Sequence, residues 1–285
     1  MKTTTASFVR AKSENRKLAM VTAYDYTTAR LADSCGVDAI LVGDSLGMVC
    51  LGYPDTLSVT MDDMVHHTRA VSRGTHDALL VSDLPFLSCH ISIRDTVLNA
   101  GRLIQEGGAQ AVKLEGGSGV LPQVRAIIRA QIPVMGHLGL TPQSVNLFGG
   151  YKVQGRDAMT ACQLLEDARR LADAGVFGIV LECMPAELAQ RICESIPVPV
   201  IGIGAGAGCD GQILVYHDLL GVYTDLHPKF VKVFADAGAT MREGLRAYVT
   251  AVRDGTFPGP EHAYTMDPEI LGYLYGNSAK ESSVE

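Results

Sequence analysis

The sequence predicts a (β/α)8 barrel, on three observations. Short apolar runs recur eight times, at about residues 18–24, 39–44, 79–84, 111–115, 133–138, 178–183, 199–204 and 213–217. These runs are continuously apolar rather than alternating, as strands covered on both faces should be. Segments of helical period separate most of them, which means a parallel sheet. Several runs also end on an ionisable residue, and a barrel gathers its reactive groups at the carboxyl ends of many strands. An open doubly wound sheet is the alternative, but it concentrates such residues near one switch point.

Taken in order, the elements follow a repeated rule. Residues 1–16 carry charges throughout and lack the apolar segment of a signal peptide. Thr27–Cys35 closes on Gly36 before the run Ala39–Val42. Thr60, with Asp63 three residues on, reads as an N-cap ahead of Met64, Val65 and Val71. Ile93–Glu106 closes on Gly107-Gly108 before Ala111–Leu114. Leu121, Val124, Ile127 and Ile128 form one apolar stripe, and Ile132-Pro133-Val134 leads into the fifth run. Asp157–Ala174 closes on Gly175 before Gly178–Leu181, and Ile196-Pro197-Val198-Pro199 opens the seventh run. Glycine at these helix ends fits a left-handed cap. Met241, Leu245, Tyr248, Val249 and Val252 form the last stripe.

Two stretches break the rhythm. Gly139–Arg156 is too long and Gly-rich for an idle connection and is a candidate lid or substrate loop. Gly202–Gly208 alternates glycine with small apolar residues, so it is either a phosphate-binding loop or a tight barrel corner. One barrel domain is expected over residues 1–262. Residues 263–285 form an extension, polar from Gly276 and expected to be disordered there.

Composition removes several function classes. A net charge of −7, with no Lys/Arg cluster beyond two neighbours, argues against nucleic acid or an anionic membrane as partner. The cysteines number seven, with no Cys-x-x-Cys, which argues against a disulfide framework or thiolate zinc site and for small buried hydrophobes in a reducing compartment. No apolar run approaches the length of a membrane span, so a cytoplasmic protein is expected.

The chemistry lies at the run ends. Asp44, Asp83, Glu115 and Glu182 each follow an apolar run, and Lys113 lies two residues before Glu115, on the same side of its strand. Any one acid in such a place is ordinarily a helix cap or loop residue; a set on successive strands is not. Gathered in one pocket, four carboxylates and one ammonium sum to −3, a balance that must take up protons or bind a cation. A ligand set of carboxylates, water and Ser45 suits a hard cation such as Mg²⁺ rather than zinc or copper. Lys113 either neutralises Glu115 or acts in the chemistry, where a Schiff-base role competes with a charge-paired ammonium. His137, between Gly136 and Leu138-Gly139, is a further candidate, whereas His66 and His67 read as packing residues and His217-Asp218 as a structural, hydrogen-bonded pair.

The motifs LVGDSLG, SDLPF, VKLEGG, GHLGLTPQS, FGGYKVQGR, LECMP, IGIGAG and DGQILVYHD, in this order, resemble the ketopantoate hydroxymethyltransferase family from about Thr4 to His262. The resemblance implies a (β/α)8 barrel, Mg²⁺, and a homodecamer of pentameric rings. It implies transfer of a hydroxymethyl group from 5,10-methylenetetrahydrofolate to 3-methyl-2-oxobutanoate, giving ketopantoate for pantothenate biosynthesis. It implies metal ligation by Asp44, Asp83 and Glu115, and keto-acid binding by Asp44, Ser45, Asp83, Lys113 and His137. Glu182 would be the base. A phosphoenolpyruvate mutase/isocitrate lyase-type carbon–carbon lyase, with similar acids on a similar barrel, is the competing activity. The folate pocket and the role of the chain after His262 are not legible in the sequence.

Overall fold

The computed structural model describes residues 2–275, so the disorder expected from Gly276 onward falls outside the described residues. The chain divides into two compact units, Met1–Ala235 and Asp236–Glu285.

The first unit is the barrel. Its strands are β1 (Leu18–Thr22), β2 (Ala39–Val42), β3 (Leu79–Asp83), β4 (Ala111–Glu115), β5 (Val134–Gly139), β6 (Gly178–Glu182), β7 (Val200–Ile203) and β8 (Gly211–Leu214). They close in sequence order, every neighbour parallel, with β8 returning to β1 through pairs such as Met20↔Ile213. Each predicted run contains or overlaps a strand. The eighth was placed too late: pairing ends at Leu214, and Tyr216–Leu219 is a short helix.

Two apolar cores follow from the period of two along each strand. Leu41, Leu79, Val81, Ala111, Met135, Val180, Ile201 and Ile213 fill the barrel interior. Residues of opposite parity, such as Ile40, Leu80, Val112 and Ile179, pack outward against the helices. The N-terminal helix Thr5–Ser13, which the sequence reading did not expect, inserts Phe8 into the interior core, its ring edge-on to Phe177 with centroids 5.6 Å apart.

The punctuation holds in detail. Thr60 caps the helix Met61–Gly74 and forms a reciprocal capping box with Asp63. Gly175 takes φ +98° after the helix Ala158–Ala174, the left-handed end its position required.

In the second unit, Asp236 caps the helix Ala237–Arg253 by accepting from the Ala239 amide at 2.8 Å. This helix carries the stripe Met241–Val252. Within the extension beyond His262, Pro268–Leu274 is helical.

All the cysteines are free thiols, but Cys35, Cys50 and Cys162 are exposed, so burial explains only part of the set. Among the described residues no helix is long and apolar enough to cross a membrane.

Candidate active site

The same parity that fills the barrel interior delivers the polar groups. Val81 points inward, so Asp83 does; Ala111 points inward, so Lys113 and Glu115 do. Met135 is followed by His137 and Val180 by Glu182 on the same side. Register places them side by side at the carboxyl pole: Asp83 pairs with Lys113, and Glu115 with His137. The backbone turns out of β2 at Gly43, and the Asp44 amide donates to Asp83 Oδ2 at 3.2 Å. Asp44, Asp83, Lys113, Glu115 and His137 are each at most 5 % exposed. Glu182 is the most open of the set, with its side chain 15 % exposed.

Lys113 Nζ lies 2.9 Å from Asp83 Oδ1 and donates to His137 Nδ1 at 3.1 Å. The close ion pair of Lys113 is with Asp83, the adjacent residue across the β3–β4 register, while its charge also acts on Glu115. An ammonium can only donate, so neutral His137 accepts at Nδ1 and carries its proton on Nε2, 3.3 Å from Glu182 Oε2. Burial, reinforced by the charge of Lys113, holds the imidazole below its ordinary pKa.

The acids carry the electrostatic cost of this assembly. Burial and then the charges of Glu115 and Asp83 hold Asp44 well above the usual carboxylate range. Burial likewise raises Asp83 and Glu115, with Lys113 opposing in both cases. For Lys113 burial works downward, but Asp83, Glu115 and Asp44 together outweigh it and keep the ammonium above its ordinary value. That state opposes a neutral, Schiff-base-forming amine.

Residues that the sequence reading passed over complete the site. Gln143, from the loop after β5, donates from its side chain to Asp44 Oδ2 at 2.8 Å and to the Leu84 carbonyl at 2.9 Å. Its backbone amide donates to Glu115 Oε2 at 3.0 Å, so one residue ties two of the acids together. Its only sequence signal was its place in GHLGLTPQS. Tyr24, just beyond β1, has its hydroxyl 2.7 Å from Ser45 Oγ. His217 stacks on Tyr24 with centroids 5.6 Å apart, and its Nδ1 has no hydrogen-bond partner among the described residues, so the hydrogen-bonded pair with Asp218 that the sequence suggested does not form. The glycines of Gly202–Gly208 answer to packing. A Cβ at Gly204 would meet the Phe230 ring at 2.7 Å, which supports the tight-corner reading.

The chemistry of the donor set fits a divalent cation. Asp44, Asp83 and Glu115 offer buried carboxylate oxygens whose mutual repulsion only protons, Lys113 or a metal can relieve. Among the described residues no three acidic, histidine or cysteine side chains converge as a preformed metal cage. Mg²⁺ does not require one, because it is held by one or two carboxylates plus water and substrate oxygens.

These groups line a cavity of about 780 Å³ that Tyr151 and Val153 of the long loop also reach.

Comparison with known proteins agrees with this architecture. The family model described as ketopantoate hydroxymethyltransferase matches residues 2–260. A 3-methyl-2-oxobutanoate hydroxymethyltransferase of Clostridium novyi is 60 % identical over 275 residues, covering 96 % of this chain and 100 % of that protein. Its counterpart in Enterococcus faecalis is 56 % identical with the same coverage. Alignments of that length run past residue 262, so part of the C-terminal extension is shared with these relatives. Among solved structures, phosphonopyruvate hydrolase with oxalate and Mg²⁺ superposes with TM-score 0.59 at 14 % identity, covering 96 % of this chain and 95 % of that one. A 2,3-dimethylmalate lyase superposes with TM-score 0.58 at 18 % identity, covering 96 % and 95 %. At such identities the likeness is one of fold and does not carry the lyase alternative. The barrel, its acidic pole and the near-full-length relatives converge on one conclusion: the chain belongs to the ketopantoate hydroxymethyltransferase family.

Proposed function

We propose that this transferase makes ketopantoate by moving the one-carbon unit of 5,10-methylenetetrahydrofolate onto carbon 3 of 3-methyl-2-oxobutanoate, with a divalent cation, Mg²⁺ by chemical preference, at the acidic pole. The observation that carries the reading is the buried set of Asp44, Asp83 and Glu115 with one ammonium, Lys113, beside the more open Glu182. Asp44, Asp83 and Glu115 would hold the cation, directly or through water. When bound there it supplies Lewis-acid stabilisation of the negative charge that develops on the keto oxygen.

The chain's own groups do the rest. Lys113 balances the substrate carboxylate without leaving its contact with Asp83. Ser45, fixed by the Tyr24 hydroxyl, offers a hydrogen bond to the same end of the substrate. Glu182 takes the proton from carbon 3, and His137 Nε2–H steadies that carboxylate. Carbon 3 then bonds to the one-carbon unit. One water is consumed overall, its oxygen becoming the new hydroxyl, and tetrahydrofolate leaves. Assembly as a homodecamer and a cytoplasmic setting belong to the same reading; exposed apolar side chains such as Leu31, Ile91, Leu98 and Leu147 are what such an assembly would cover.

The decisive test is proton-to-deuterium exchange at carbon 3 of 3-methyl-2-oxobutanoate, followed by NMR with and without Mg²⁺ and tetrahydrofolate. Exchange that needs Mg²⁺, and conversion to ketopantoate once formaldehyde and tetrahydrofolate are added, is the expected result. Folded, metal-bound protein that exchanges nothing would return the site to a lyase of the phosphoenolpyruvate type.

A further inference from the structure

The cavity is several times the size that a five-carbon keto acid needs, and its two walls differ in chemistry. The acidic floor lies on the ends of β2 to β6. A second group of lining residues, the wall, comes from elements that the proton-transfer chemistry does not use. The chain after β8 contributes Asp218, Tyr223 and Phe230, the long loop after β5 contributes Tyr151, and the short helix Leu46–Val49 contributes Met48. That wall is aromatic and apolar apart from one acid, Asp218, and one base, Lys229. Among the described residues, Asp218 is the only carboxylate lining the cavity besides Asp44, Asp83, Glu115 and Glu182.

Asp218 has no hydrogen-bond donor to its carboxylate among the described residues. Half-burial pushes its pKa up to about 6, and the charge of His227 only partly opposes this. An acid in that condition lacks a donor that a ligand could bring.

The two walls are close enough to serve one reaction. His217, next to Asp218, stacks on Tyr24, whose hydroxyl meets Ser45 on the floor. The Asp218 charge is felt at the Tyr24 phenol. From the other side, the Tyr151 phenol feels Glu182 and Asp44 on the floor and Tyr223 on the wall.

A reduced pterin is complementary to this wall. It is a nearly flat bicycle whose faces suit aromatic rings and a thioether. One edge presents two adjacent N–H donors, the ring N3–H and the 2-amino group, which suit a carboxylate accepting two parallel bonds. We infer that the wall of Met48, Tyr151, Tyr223 and Phe230 is the pterin subsite, with Asp218 accepting the N3–H and 2-amino donors. Lys229 at the rim is the cation placed for the folate's terminal carboxylates. Anchoring the pyrimidine edge leaves N5 and N10, which bear the one-carbon unit, at the opposite end of the ring system and free to reach the floor. This inference rests on the folate-dependent reading above.

The experiment compares full-length wild type, Asp218→Asn and Tyr223→Ala. Tetrahydrofolate affinity is read by calorimetry, and steady-state KM is read for both 5,10-methylenetetrahydrofolate and the keto acid. Tyr223 is partly exposed, so its truncation is a second variant that spares the packed core. The expected result is a loss of folate affinity of about tenfold or more in Asp218→Asn, the scale of a lost charged hydrogen-bond pair, while KM for the keto acid moves less than about threefold. A 2-desamino-2-methyl analogue of tetrahydrofolate supplies a readout that general structural damage would not move. Wild type should bind it about tenfold more weakly than tetrahydrofolate, and Asp218→Asn should lose that discrimination. Folate affinity and analogue discrimination unchanged in both variants would overturn the subsite, with the folate reading still standing. A wild type that exchanges the carbon-3 proton yet binds no tetrahydrofolate would overturn both.

Discussion

Lys113 Nζ sits 2.9 Å from Asp83 Oδ1 with both side chains almost wholly buried, and the β3–β4 register makes them direct neighbours. A buried pair of this kind is costly to break from one side, because the partner is left charged and dry. Lys113→Met should therefore destabilise the metal-free protein by about 3 kcal/mol. Mg²⁺ should recover part of that loss. Chemical denaturation of both proteins with chelator and with excess Mg²⁺ checks this; equal stability under chelator would mean that Asp83 is held protonated without help from Lys113.

Glu182 is the acid with room to meet a substrate proton, and His137 Nε2 lies 3.3 Å from its carboxylate. Glu182→Gln should keep Mg²⁺-dependent thermal stabilisation by 3-methyl-2-oxobutanoate and lose carbon-3 exchange by at least about 100-fold, the usual scale of a general base. Wild-type exchange rates in the variant would remove Glu182 from the mechanism.

Gln143 orients two acids at once, Asp44 through its side chain and Glu115 through its backbone. Gln143→Leu removes the side-chain bonds to Asp44 and to the Leu84 carbonyl and keeps the backbone bond to Glu115. Divalent-cation affinity, measured with Mn²⁺ by electron paramagnetic resonance in the absence of substrate, should fall by roughly 10–100-fold, as with other supports of metal ligands. An unchanged affinity would leave Gln143 a packing residue.

The pH response of Asp218 has a defined sign. Its native carboxyl titrates near 6, above the ordinary 3.8, because burial outweighs the opposing charge of His227; the phenols of Tyr24 and Tyr223 are the other titratable groups in its field. The folded state therefore binds this proton more tightly than the unfolded chain does. The group favours folding below its unfolded pKa, and that contribution is lost as pH rises towards 6. Asp218→Asn should thus gain stability relative to wild type between about pH 4 and pH 6 and hold the gain above. Denaturation midpoints across that range test it. Under the subsite inference, tetrahydrofolate affinity of the wild type should rise over the same interval, as the acceptor ionises.

Gly139 ends β5 with φ +95°, and a Cβ there would collide with the Glu182 carbonyl oxygen. Gly139→Ala combines a disfavoured backbone conformation with that clash, so a loss of more than about 1 kcal/mol is expected. Exchange activity should fall further than stability alone explains, since the displaced strand end carries Glu182. A variant with wild-type melting and exchange would show that the junction yields easily.

Much of the fold was legible because its signals are local. Continuous apolar runs and helix-ending glycines mark strands and junctions whatever surrounds them, and β2, β3, β4 and β6 lie inside their predicted spans. Helix Thr5–Ser13 was missed because its burial rests on two residues, Phe8 and Ala11, too few to write a stripe. The eighth strand was misplaced because Val215 and Tyr216 continue the apolar character of Ile213 and Leu214 after pairing has ceased.

By itself the sequence determined which residues could do chemistry and that Lys113 and Glu115 stand on one side of their strand. Residues two apart on a strand, such as Lys113 and Glu115, face the same way, and that parity requires no partner to be known. Only the tertiary structure decided who pairs with whom. The close ion pair of Lys113 is with Asp83 because the stagger of a closed barrel sets the register, and that stagger is a property of all eight strands together. Gln143 bridges Asp44, 99 residues away along the chain, and Asp218 reaches the field of Tyr24 only because β8 closes on β1. Such contacts join segments whose separation in sequence carries no period, so closure of the barrel is what brings them together.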